Sequence, residues 1–167
     1  MKKLFVILIA FVSMNALSQG KYVVDIAIGS ADHTTLVAAV KAADLVSTLK
    51  GKGPFTVFAP TNAAFDKLPE GTVANLLKPE NKAQLAKILT YHVVSGNLDA
   101  AAVIAAIKSE KGKAVLTTVS GGKLTASLEM GKVKLTDESG KSAYVTAADL
   151  KGTNGVVHVI DGVLLPK

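Results

Sequence analysis

The apolar residues of this chain change period near Ser109, and that switch constrains the fold more than any single motif. Before it they recur every three or four positions. Leu36, Ala39, Val40 and Ala43 mark one helical face, Leu85, Ile88 and Leu89 a second, and Val103, Ile104 and Ile107 a third. After it they alternate. Leu116 and Thr118 interleave with Val115, Thr117 and Val119, and Leu124, Ala126 and Leu128 interleave with Lys123, Thr125, Ser127 and Glu129. A helix-rich first half followed by a strand-rich second half predicts an α+β domain rather than an alternating α/β one.

Punctuation residues place the element ends. Asp32, Thr61 and Asp99 have the chemistry of helix caps, and Asn81 with Gln84 reads as a capping box. Gly51-Lys52-Gly53-Pro54 breaks a helix. The run Phe55–Ala59 is a short apolar strand that stops at Pro60, and Phe65 and Leu68 then share the inner face of the helix that Thr61 opens. Gly121-Gly122, Gly131 and Asp137–Gly140 turn a meander of short strands through Tyr144-Val145-Thr146. Asp149-Leu150 falls in a turn before Thr153-Asn154-Gly155; Val156–Ile160 is the last full strand, with Val163-Leu164 as a further pair.

Residues 1–18 read as a secretory signal peptide. Lys2-Lys3 is its positive start, Leu4–Val12 its apolar run, and Ala16-Leu17-Ser18 its cleavage site, with the cut before Gln19. Residues 19–167 then form a single domain, with neither an internal repeat nor a low-complexity linker. The apolar run is too short to span a membrane, and no later segment is apolar enough to do so. The absence of cysteine excludes disulfides and a lipid-modified cysteine anchor. The expected location is therefore secreted: periplasm, medium or cell surface.

All 19 basic residues are lysine, and Lys2 and Lys3 supply two of the formal +6 charge. Arginine, the residue suited to bidentate phosphate and base recognition, is absent, and the lysines are not interleaved with aromatics. The composition argues against a nucleic-acid partner.

Catalytic chemistry finds no constellation. His33, His92 and His158 match no zinc or metalloprotease spacing, and no calcium loop or G-x-S-x-G elbow occurs. Gly140-Lys141-Ser142 has Leu135 where a phosphate-binding loop needs glycine, so it reads as a hairpin turn. In a strand His158 and Asp161 point to opposite faces and do not form a catalytic pair. His92 continues the face of Leu85, Ile88 and Leu89 and so should be buried. A buried imidazole needs a partner, for which Asn62 and Asp66 are candidates. It reads either as a core histidine pinning two segments together or as a pH-sensitive or ligand-facing group. No catalytic residue, metal or cofactor is expected.

Three ordered motifs resemble the fasciclin domain family over nearly all of residues 21–167. Thr56, Phe58, Ala59, Pro60, Thr61, Asn62, Ala64 and Phe65 match its first box. Tyr91-His92 matches its tyrosine-histidine pair, and Asn154, Gly155, Val156, Val157, His158, Val159, Ile160 and Asp161, with Val163-Leu164, match its second box. The resemblance implies a fasciclin-like wedge of two β-sheets flanked by several helices, with His92 hydrogen-bonded back to Asn62. In animal members an aspartate and an aliphatic residue just before the second box have been assigned to integrin binding. Asp149 and Leu150 hold that place here, followed by Lys151 where an apolar residue stands in those members. The short signal peptide and lone domain resemble bacterial members. The resemblance implies a non-catalytic adhesion or interaction module for a cell-surface protein or polysaccharide. The alternative is a soluble carrier of an apolar small molecule, a pigment or lipid. The chain is 49% hydrophobic but only 5% aromatic, which leaves few aromatic walls for a flat ligand.

Overall fold

The computed structural model describes residues 20–167; the expected signal peptide and Gln19 lie outside the described residues. The helical half opens with α1 (Val23–Ile28), a 3-10 turn at Ala31–His33, α2 (Thr34–Ala42) and α3 (Val46–Leu49). Strand β1 (Phe55–Pro60) leads into α4 (Asn62–Asp66) and α5 (Thr72–Leu76). A 3-10 turn at Pro79–Asn81 precedes α6 (Lys82–Tyr91), which is followed by β2 (Val93–Ser95) and α7 (Ala100–Ser109). The meander is β3 (Lys113–Thr117), β4 (Lys123–Glu129), β5 (Lys132–Thr136), β6 (Ser142–Gly152) and β7 (Gly155–Ile160).

The strands follow the order β2-β1-β7-β6-β5-β4-β3. Among the described residues only β1 and β7 pair in parallel. The wedge arises because β6 belongs to both halves. Its first residues, Ser142–Tyr144, pair with β5, and Val145–Gly152 pair with β7. The two ends of the order meet again: Val94 bridges Thr118, and Val119 N–H donates to the Val93 carbonyl at 2.7 Å.

Strands β1 and β7 separate two cores, which explains why both are almost continuously apolar. Val57, Ala59 and Val157 pack with Val24, Leu36, Val40, Leu85 and Leu89 from the helices. The alternate residues Phe58 and Ile160 pack on the other side with Tyr91, Ile107, Leu124 and Leu135. Fully burying each large apolar side chain contributes about 1.5–3 kcal/mol.

Thr61 and Asp99 cap α4 and α7, accepting from the Ala64 and Ala102 amides at 3.2 and 2.8 Å. Asp32 is not a cap. It lies inside the 3-10 turn, which moves the start of α2 past it. Asn81 stands at the α6 start, but its amide donates back to the Asn75 carbonyl at 2.7 Å, so no capping box forms. Asp149 and Leu150 lie within β6 rather than in a turn, since that strand runs on to Gly152. Val163 and Leu164 are buried without joining a strand. No helix among the described residues is long and apolar enough to cross a membrane.

Candidate functional site

The site begins at a bulge in β6. Ala147 pairs with Val159 and Leu150 with Val157, so Ala148 and Asp149 together stand opposite His158. The extra residue gives Asp149 a φ of 60°, a conformation that aspartate tolerates better than most side chains. Its amide donates to Nδ1 of His158 at 3.3 Å, and Nε2–H of His158 donates to the Leu98 carbonyl at 2.7 Å. Both ring nitrogens are therefore occupied in one neutral tautomer. The ring is buried and stacks on Phe58 with centroids 5.6 Å apart.

The Asp149 carboxylate reaches the start of α7. Its Oδ1 accepts from the Ala100 amide at 2.8 Å, while Asp99 takes the Ala102 amide. Two carboxylates thus satisfy unpaired amides at the positive end of one helix. Leu150 makes no such inward contact and is 38% exposed. It belongs to a run, Thr146–Lys151, in which every residue is exposed.

His92 ends α6. Its Nδ1–H donates to the Ile88 carbonyl at 2.8 Å, and Nε2 accepts from the Leu164 amide at 3.0 Å. Burial pushes its pKa down to about 4; the Ile88 bond and the Asp137 charge oppose that shift without overcoming it. The expected bond from His92 to Asn62 is absent. Asn62 instead accepts from the Thr35 amide at 3.0 Å and donates to the Ala31 carbonyl at 3.1 Å, fastening α4 to the start of α2. It faces the helical layer, whereas the His92 ring is aimed at the C-terminal segment. The His92 backbone does reach the first box, for its carbonyl accepts from the Phe58 amide at 2.8 Å. Asp66, the other candidate partner, is exposed.

The neighbouring signature side chains are similarly committed. The Tyr91 hydroxyl donates to the Lys123 carbonyl at 2.7 Å and accepts from the Glu138 amide at 3.2 Å. Desolvation, partly opposed by the Glu138 amide bond, pushes its pKa up to about 12. A methyl group at Gly122 would stand 2.6 Å from the Tyr91 ring, so the β3–β4 turn closes over the tyrosine only with glycine there. Thr56 Oγ1 donates to the Gly96 carbonyl and accepts from the Leu98 amide, both at 2.8 Å. Asp161 accepts from the Tyr144 amide at 2.8 Å. Pro60 ends β1, Phe65 is buried among the helices, and Gly155 begins β7 where a methyl group would collide with the Phe55 carbonyl.

Asp137 was legible in the sequence only as a turn residue. It is buried; Oδ1 accepts from the Ser139 and Lys141 amides, each at 2.9 Å, and Oδ2 from the Leu165 amide at 3.0 Å. It therefore shapes the Gly140-Lys141-Ser142 turn and ties down the C-terminus together. Among the described residues no three His, Cys, Asp or Glu side chains gather as metal ligands. An apolar cavity of about 40 Å³ lies between α1, α2 and the sheet, lined by Val24, Leu36, Val40, Val57 and Leu89 among others. Ligand sites ordinarily measure roughly 300–1,000 Å³.

The comparisons with known proteins agree with this architecture. The fasciclin domain model matches residues 31–166. Protein sll1483 of a Synechocystis species is 50% identical over 157 residues, covering 94% of this chain and 80% of that protein. Transforming growth factor-beta-induced protein ig-h3 of Sus scrofa is 39% identical over 144 residues, covering 86% of this chain but 19% of that protein. Among solved structures, the FAS1 domain pair of the insect cell adhesion molecule fasciclin I superposes with a TM-score of 0.77 at 20% identity, covering 87% of this chain and 51% of that one. The chain belongs to the fasciclin domain family.

Proposed function

We propose that this fasciclin-family chain is a secreted or surface-associated interaction module that works without catalysis and docks to a cell-surface protein or polysaccharide. In this reading residues 1–18 are removed on export and residues 19–167 act as one domain. The observation that carries it is the exposed run Thr146–Lys151 on β6. Strand β5 stops pairing with β6 at Tyr144, so that stretch keeps one side of its backbone outside the ladder. Asp149 holds the bulge in place, and Leu150 is offered to the partner. The insect relative's description as a cell adhesion molecule points the same way.

The two histidines of the signature motifs support the non-catalytic part. Each has both nitrogens engaged and each is buried. A general base needs a free nitrogen within reach of substrate. The apolar cavity between α1, α2 and the sheet, about 40 Å³, has no room for a pigment or lipid, so a carrier would have to hold its ligand elsewhere.

The test is retention of the purified chain on washed cells of its source. Leu150→Ala should reduce retention by about fivefold, the loss expected of a central apolar contact, with an unchanged melting temperature. Undiminished retention would remove Leu150 from the site, and a wild-type chain that is not retained would remove the reading.

A further inference from the structure

A second surface begins where the β6 face ends. Three segments distant in sequence meet there: residues 20–22, the α3–β1 connection at 50–54 and the β6–β7 turn at 151–155. The buried side chain of Asn154 gathers them. Its Oδ1 accepts from the Val23 amide at 3.0 Å, and its Nδ2 donates to the Leu49 and Gly51 carbonyls at 2.7 and 2.8 Å. The Thr153 amide adds a bond to the Lys21 carbonyl at 2.9 Å. Two adjoining open hollows result, of about 780 and 240 Å³, which share Lys52, Thr153 and Asn154 as lining.

Their walls carry Lys21, Lys50, Lys52 and Lys151 against two carboxylates, Asp25 and Asp99. Both carboxylates are already used. Asp25 pairs with Lys50 at 3.2 Å, and Asp99 caps α7. Among the described residues no ion pair is formed by Lys21, Lys52 or Lys151. Tyr22 stands beside them, 39% exposed, with the Lys50 ammonium 5.8 Å from its ring centroid. An open hollow with cations on flexible stems and one exposed aromatic ring suits spaced anionic groups on a chain of rings. It does not suit nucleic-acid base readout, for which this chain has no arginine.

We propose that this groove binds a carboxylate- or sulfate-bearing polysaccharide, with Lys21, Lys52 and Lys151 meeting the anionic groups and Tyr22 the face of a sugar ring. The proposal rests on the interaction-module reading and names its partner. Asn154 is here a positioning residue. It touches no ligand, but it brings together lysines that the sequence scatters over 131 positions from residue 21 to residue 151, counting both ends.

The experiment measures binding of the purified chain to immobilised alginate and dextran sulfate, with neutral dextran and a single-stranded DNA oligomer as controls. The triple variant K21Q/K52Q/K151Q should bind the acidic polymers about tenfold more weakly or worse, given the usual gain per lysine at an anionic surface. A charge-matched variant away from the groove, K108Q/K113Q/K141Q, should stay within about twofold of wild type if position and not net charge decides. Tyr22→Ala should weaken binding with an unchanged melting temperature. Equal losses in both triple variants, or DNA bound as tightly as the polysaccharides, would overturn the proposal. Failure to bind either acidic polymer while the chain is still retained on washed cells would overturn it and leave the broader reading standing. Failure of both would overturn both.

Discussion

His92 receives the backbone amide of Leu164 on Nε2 at 3.0 Å, across 72 positions of sequence, and so locks the end of α6 to the C-terminal segment. The bond requires that nitrogen to be unprotonated. The native pKa lies near 4, below the ordinary 6.5, because burial disfavours the cation. The unfolded chain therefore takes up a proton first as pH falls. The stability that this group supplies is complete above about pH 6.5 and lost progressively down to about pH 4, by roughly 3 kcal/mol in all. Urea unfolding at pH 7.5, 5.5 and 4.5 should show that decline in the wild type and a shallower one in His92→Gln. An equal slope in both would place the acid sensitivity elsewhere.

Phe65→Ala should destabilise the fold by about 3–5 kcal/mol, the range for truncating a buried aromatic. Phe65 packs in the helical core. Denaturant unfolding reads the cost, and a loss below about 1 kcal/mol would contradict that packing.

Asn154→Ala should cost about 2–4 kcal/mol, since it strands two backbone carbonyls and an amide that only this side chain gathers. The local signature is sharper than the total. Hydrogen exchange at the Val23 amide should quicken more than exchange within β4, and a uniform change across the chain would argue against a gathering role.

Asp149→Ala should lose about 1 kcal/mol through the uncapped Ala100 amide and the φ of 60°, whereas Asp149→Asn keeps both an acceptor and tolerance of that backbone. The expected order of stability is wild type, then asparagine, then alanine. Equal melting of the two variants would show that neither the cap nor the bulge geometry depends on this residue.

What the sequence disclosed and what it hid follow from range. Thr61 and Asp99 were readable as caps because a cap acts on an amide three residues away. Strands β1 and β7 were readable from their short apolar runs, but not that His158 would be buried within β7. The bulge was not readable, because one inserted residue shifts the alternation of β6 and makes Ala147-Ala148-Asp149 resemble a loop. Helix α1 has six residues and no side-chain cap, so it left too short a pattern to find. The partner of His92 and the lysine groove depend on contacts between distant segments, which no local pattern carries.

The bridge between Val94 and Thr118 has a wider meaning than its single pair suggests. A β-sheet with two open margins is a template on which another copy of the same chain can keep growing. Here β2 is three residues long and is stitched to the residues just after β3, so the two margins partly consume one another. The domain thus offers little purchase for open-ended fibre growth at the two ends of its sheet.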